Sequence, residues 1–188
     1  KIDTSKVYDT NGGIVTYYGR KVRDSHDGGY GKISLARGFE VSSNTVLVQA
    51  VYENYKDDPK EFVDRIDRLG LNKPIGLPFE GEGVPYIPQP SDKKWSGLSL
   101  PWMAYGYGVS VTPLQTLALY NAVANNGVMI KPKFVSEIKE WNKVIKKYNT
   151  EIINPKICSD ETLKKVKAVL GNVVKRGTAS KLYSKDFS

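Results

Sequence analysis

Cysteine and histidine are almost missing: the 188 residues hold one of each. A lone Cys158 excludes an internal disulfide and a cysteine-built metal site. Set between Ile157 and Ser159, it reads as a small, half-buried apolar side chain. A lone His26 speaks against a Ser-His-Asp triad, and its surroundings, Asp24-Ser25-His26-Asp27-Gly28-Gly29, read as a polar turn. The same turn could hold a metal on one His and two Asp, though nothing in the sequence supports it. Long apolar runs are also absent, so no membrane-spanning helix is expected, and no signal peptide stands at Lys1. The chain opens abruptly in Lys1-Ile2-Asp3-Thr4, which is compatible with an anchor further upstream.

Acidic residues run short only towards the end. Residues 1–130 hold 14 basic and 14 acidic side chains and residues 131–188 hold 14 and 6, so the last third carries the whole net charge of +8. A basic face of that kind can attract nucleic acid, anionic lipid or cell-wall polymer. Here Lys139, Lys143, Lys146 and Lys147 alternate with apolar residues instead of forming a block, which fits a solvated surface. The length suits one domain or a large part of one, with enough chain to bury a core.

Read in order, residues 1–33 are short strands and turns, β-branched and aromatic from Ile14 to Val22 and punctuated by Asn11-Gly12-Gly13 and Asp27-Gly28-Gly29. Residues 34–70 are helical. A short helix near 34–41 leads into Ser42-Ser43-Asn44, then a helix runs from about Thr45 to Tyr55. A third starts at the cap Asp58, with Pro59 in its first turn, and shows Phe62, Val63, Ile66 and Leu69 on one face. Residues 71–111 form a loop rich in proline and glycine, whose far end (Trp95, Leu98, Leu100, Trp102) packs down. It closes in Tyr105-Gly106-Tyr107-Gly108, where glycines allow close backbone approach and tyrosines supply flat, hydrogen-bonding walls. A helix is assigned to 112–132, capped by Thr112 with Gln115 three residues on, with Leu114, Leu117, Ala118, Asn121 and Ala124 on its inner face and Gly127 at its close. A hairpin with one wet face follows over 133–149, then a last helix over 159–177.

The triplet Ser42-Ser43-Asn44 offers a hydroxyl that can relay a proton and an amide that both donates and accepts. It also reads as an ordinary helix cap, through Ser43 or Asn44. Its context shifts the balance between the two. The order Ser-Ser-Asn, proline-rich loop, Tyr-Gly-Tyr-Gly-Val-Ser-Val-Thr-Pro-Leu-Gln-Thr-Leu and Asn-Asn-Gly-Val-Met-Ile-Lys-Pro resembles the transpeptidase domain of class B penicillin-binding proteins of the cell-division type. The resemblance covers nearly the whole chain and is most specific from Tyr105 to Pro132. It implies an α/β (α+β) fold of the penicillin-binding and β-lactamase kind, mainly its helical half with short strands and a β-hairpin.

That family uses three motifs, Ser-x-x-Lys, Ser-x-Asn and Lys-Thr/Ser-Gly. The literal Ser-x-x-Lys matches, Ser91 with Lys94 and Ser136 with Lys139, fall in the loop and in an expected strand, after Ser-x-Asn rather than before it. Neither gives the helical turn that would bring serine and lysine together. Lys175-Arg176-Gly177 has arginine in the Thr/Ser place and ends a helix. The chain is therefore expected to be an internal portion of a single transpeptidase domain, with the nucleophilic serine and its lysine upstream of Lys1.

By resemblance, Ser42 relays a proton, Asn44 holds the acyl-side amide of the substrate and helps place the lysine, and Tyr105, Gly106, Tyr107 and Gly108 line the groove, with a purely structural role for the two tyrosines as the alternative. The resemblance also implies a D-Ala-D-Ala stem peptide and β-lactams as ligands, no cofactor or metal, other wall-synthesis and division proteins as partners, no nucleic acid, and an upstream anchor at the bacterial inner membrane, facing the periplasm. Two other readings stand beside it. One is a serine β-lactamase or β-lactam sensor of the same fold. The other is a basic, non-catalytic binding module that works through the lysines after residue 130.

Overall fold

Two glycine turns, at Gly13 and Gly29, meet among the first strands. Residues 2–184 are described in the computed structural model. β1 (Val7–Asp9) pairs antiparallel with β4 (Lys32–Ser34), and β2 (Ile14–Tyr17) with β3 (Arg20–Arg23). The turns touch: Gly13 and Gly29 both take left-handed backbone, and a Cβ on Gly29 would collide with the Gly13 backbone. Buried Thr10 ties the pair together, accepting from the Tyr30 amide at 2.8 Å and donating to the Gly31 carbonyl at 3.0 Å.

Among the described residues six α-helices follow: α1 (Leu35–Glu40), α2 (Asn44–Tyr55), α3 (Pro59–Arg68), α4 (Ser99–Met103), α5 (Pro113–Ala124) and α6 (Asp160–Arg176). Two more antiparallel pairs stand among them, β5 (Met129–Ile130) with β8 (Ile152–Asn154), and β6 (Glu137–Glu140) with β7 (Lys143–Lys147). Helices and short strands thus mix as the α/β expectation has it. The described residues fall into two compact units. One runs up to Arg65 and adds Ile87–Val109 and the chain from Lys165 onward; the other holds Ile66–Tyr86 and Ser110–Lys164.

In the first unit α2 is the centre. Val46 and Ala50 bury against Tyr8, Ile33 and Leu35, and α4 packs on the same helix. Burying a valine fully is worth about 1.5–3 kcal/mol, and Val46 and Val48 are both fully buried. Gly38 lets α1 and α2 close, because a Cβ there would run into the Val46 side chain. In the second unit Ala118, Ala122 and Met129 pack with Ile75, Leu119 and Ile157.

Four expectations need correction. The helix assigned to 112–132 stops at Ala124: Asn126 and Gly127 take φ of 53° and 87°, and Gly127 donates back to the Ala122 carbonyl. Its inner face is Gln115, Ala118 and Ala122, while Leu117 stays 60% exposed and Asn121 and Ala124 face out. Gln115 sets that rotation. Its Nε2 donates to the Lys73 carbonyl at 2.8 Å and its Oε1 accepts from the Thr112 amide, completing a capping box. The loop of 71–111 contains a real helix, α4, whose Leu100, Pro101 and Met103 are buried. The β6–β7 hairpin has no dry face on β7, all five residues of which are exposed.

One buried ion cluster lies at the end of α1. Glu40, wholly buried, takes Arg37 on one carboxylate oxygen and Arg176 on the other, each at 3.0 Å. Burial alone would push its carboxyl up, but hydrogen bonds from Arg176, Arg37 and Asn172 outweigh burial and hold it below the ordinary value of 4.5. A carboxyl lowered in the folded state stabilises fully above its unfolded value and loses that contribution as pH falls through the folded one. Glu40→Gln is expected to cost about 2–3 kcal/mol at neutral pH. Urea titrations repeated at falling pH should show the difference from wild type closing once Glu40 is protonated.

Candidate active site

α1 ends and α2 begins with three residues between them, Val41, Ser42 and Ser43. The Ser43 amide donates to the Gly38 carbonyl at 2.8 Å and the Ser42 amide to Phe39 at 3.1 Å. This is a Schellman turn, in which the residue after the cap takes left-handed backbone and is usually glycine. Here that residue is Ser42, with φ of 53°. Holding a non-glycine residue there costs about 1 kcal/mol. The strain has a visible result: Ser42 is exposed, and among the described residues its hydroxyl makes no hydrogen bond.

Ser43 does the capping. It is wholly buried, accepts from the Val46 amide at 3.3 Å, and donates to the Asp24 carboxylate at 3.0 Å. Asp24 also takes the Thr45 amide and the Thr45 hydroxyl, both at 2.9 Å. Asn44, half-buried at the start of α2, donates through Nδ2 to the Arg23 carbonyl at 2.7 Å. A carbonyl can only accept, so this bond fixes which way the amide faces. The acceptor Oδ1 and the second N–H are left for other partners. The cap and the free hydroxyl are thus different serines: Ser43 caps the helix, and Ser42 keeps its hydroxyl unused.

The aromatic stretch belongs to the same unit. Tyr105 and Tyr107 lie 5.0 Å apart by ring centroids, and Trp102 of α4 meets them at 5.8 and 5.7 Å. Gly106 and Gly108 take φ of 94° and 74°, which a side chain would resist. Tyr107 is 59% exposed, whereas burial pushes the Tyr105 hydroxyl up from its ordinary value. α4, just ahead of this stretch, packs on α2, which begins at Asn44. Among the described residues no hydrogen bond or ring contact joins the tyrosines to Ser42 or Asn44.

Other sequence matches resolve simply. Ser91 lies in a turn and Ser136 just before β6, so neither stands on a helix with its lysine. Gly177 ends α6 pressed on the Glu40 carbonyl, and the Thr178 amide donates to that oxygen at 3.0 Å. His26 donates from Nδ1 to the Gly29 carbonyl at 3.0 Å and stacks on Tyr30 within its turn. The residue that sequence reasoning overlooked is Asp24, read there as part of that same polar turn. An aspartate nineteen residues ahead of Ser43 carries no local signal of the contact.

The family described as the penicillin binding protein transpeptidase domain matches residues 1–185. The chain is 31% identical over 170 residues to penicillin-binding protein PbpB of Mycolicibacterium smegmatis, covering 87% of this chain and 24% of that protein. To the peptidoglycan D,D-transpeptidase FtsI of Escherichia coli K12 it is 35% identical over 66 residues, 35% of this chain and 11% of that one. The solved structure of penicillin binding protein 3 from Mycobacterium tuberculosis, complexed with aztreonam, superposes with a TM-score of 0.75 at 23% identity, over 94% of this chain and 38% of that one. The fold is that of a penicillin-binding transpeptidase. The chain belongs to the penicillin-binding protein transpeptidase domain family, and it spans about a quarter or less of the curated relatives just described.

Because Ser42 occupies a glycine-favouring position, Ser42→Gly is expected to raise stability by about 1 kcal/mol. Ser42→Ala, which keeps the Cβ, should give no such gain. Urea midpoints of the three proteins measure this, and equal midpoints for glycine and alanine would remove the strain from the account.

Proposed function

We propose that this chain supplies the middle motif of a peptidoglycan D,D-transpeptidase that cross-links stem peptides through an acyl-serine. The observation that carries the reading is the pairing of a strained, exposed Ser42 with an oriented Asn44 in a chain of this family. The nucleophilic serine and its lysine stand on a segment outside these residues. In the first half-reaction the serine oxygen bonds to the carbonyl carbon of the penultimate D-Ala, and its proton passes to the lysine amine. The bond from that carbon to the terminal D-Ala nitrogen then breaks, and the proton reaches that nitrogen through the Ser42 hydroxyl. In the second, an amine from a neighbouring stem peptide attacks the ester, an amide forms, and the serine recovers its proton. Asn44 has an amide group at each stage: Oδ1 for the lysine ammonium and an N–H for the substrate carbonyl.

Such a site needs no histidine, which agrees with a lone His26 in a turn. β-Lactams acylate the same serine, and the neighbour structure complexed with aztreonam supports that ligand class. Tyr105 and Tyr107, with Gly106 and Gly108 shaping the chain between and after them, wall the groove. The reading places the parent protein in cell-wall synthesis at division, anchored in the inner membrane with this domain on the outer side, in company with other division proteins.

Intact mass after incubation with a penicillin tests it. The protein with its natural flanking sequence should gain one adduct, mapping to a serine outside residues 1–188, while the 188-residue chain stays unmodified. Ser42→Ala should slow adduct formation by about a hundredfold, the scale of a lost proton-transfer group. An unmodified full protein would defeat the reading.

A further inference from the structure

Ser42 and Asn44 sit on a turn that should relax. A serine in left-handed backbone persists only where its surroundings over-determine it, and the restraints here converge from one short segment. Asp24 receives three donors: the Ser43 hydroxyl, the Thr45 amide and the Thr45 hydroxyl, at 2.9–3.1 Å. Its neighbour Arg23 takes the Asn44 amide at 2.7 Å. The segment is itself fixed. Arg23 pairs with Ile14 across β2–β3, the Asp24 amide donates to the Gly13 carbonyl at 2.9 Å, and Gly13 is wedged against Gly29. Hydrogen bonds to an ionised carboxylate are roughly twice as strong as neutral ones.

We propose that Asp24 is the positioning residue of the Ser-x-Asn turn, its carboxylate clamping Ser43 and Thr45 so that Ser42 stays strained and outward while the Arg23 carbonyl orients Asn44. The role rests on the acyl-transfer reading above. Asp24 touches neither substrate nor reacting atoms; it acts through the two residues it brackets. A relaxed turn would let Ser42 drift, and a displacement of about 1 Å at such a group can cost on the order of a hundredfold in rate.

The test uses the protein with its natural flanking sequence and a fluorescent penicillin, with enough concentrations to separate the binding constant from the acylation constant. Asp24→Asn keeps the volume but replaces one acceptor oxygen by a donor. It should lower the acylation constant by about 10- to 100-fold with the binding constant little changed. In a background already carrying Ser42→Ala and Asn44→Ala, the same substitution should cost less than about twofold, since the groups it positions are gone. Melting temperature should fall alike in both backgrounds, so a purely structural residue would show the melting change without the cycle.

Wild-type acylation in Asp24→Asn, or an equal slowing in both backgrounds, overturns the role. Should Asp24→Asn fail to fold, Thr45→Val removes one donor and leaves the carboxylate in place. It should slow acylation several-fold, with Thr45→Ser restoring it, and a Thr45→Val protein as fast as wild type overturns the role as well. A wild type that takes no penicillin defeats the acyl-transfer reading and this role with it, a result distinct from a labelled wild type whose variants match it.

Discussion

The reversal between α1 and α2 is the constraint on which the rest depends. Two helices meet with three residues between them, and a Schellman turn followed at once by an N-cap spans that length. Each residue then has one task. Val41 ends α1, Ser42 carries the left-handed backbone, Ser43 caps α2, and Asn44 opens it. Gly38 permits the close approach by having no side chain where Val46 lies. The geometry leaves the Ser42 hydroxyl outside and takes that of Ser43 for the cap, which is why the proposed chemistry is assigned to Ser42. A glycine at 42 would relieve the backbone and forfeit the hydroxyl. The sequence thus keeps a less stable residue where the proposed function needs an oxygen, the trade expected at functional sites.

Glu40 extends the constraint along the chain. Two residues before the strained turn, it is gripped by Arg37 of its own helix and Arg176 at the end of α6, while its carbonyl accepts from Thr178. Arg37 also donates to the Arg176 carbonyl at 3.0 Å. A buried ion pair is weak evidence for stability, since desolvation offsets much of the attraction, but it is specific about geometry. Here it specifies that the end of α6 lands beside the start of the Ser-x-Asn turn. Gly177 belongs to that landing, since a Cβ there would run into the Glu40 carbonyl.

Local signals made most elements legible and failed where a distant contact decided the outcome. The caps at Asp58 and Thr112, the glycine at 127 and the apolar spacing of α6 mark helix ends and faces within a few residues of sequence. The face of α5 could not be read that way. Gln115 looks polar and outward, yet the carbonyl of Lys73, forty-two residues back, draws it inside and turns Leu117 to solvent. α4 hid in a stretch dominated by prolines, and what secures it is packing on α2 rather than propensity. The hairpin alternates apolar and charged residues as if one face were covered, and β7 is exposed on both.

The candidate site divides along the same line. Ser42 and Asn44 could be picked out because a short motif sat in the right order with other stretches, and the aromatic stretch because its glycine spacing is unusual. Asp24 could not, because an aspartate in a polar turn looks the same whether it solvates the turn or anchors a helix across nineteen residues. What separates the two is that its carboxylate is met by three donors from one turn while the next carbonyl back takes Asn44. Hydrogen bonds thus tie the three residues of the motif to Arg23 and Asp24, a set of five. Arg23 ends β3 and Asp24 follows it, so the geometry of the turn depends on the β2–β3 hairpin as well as on the helices it joins.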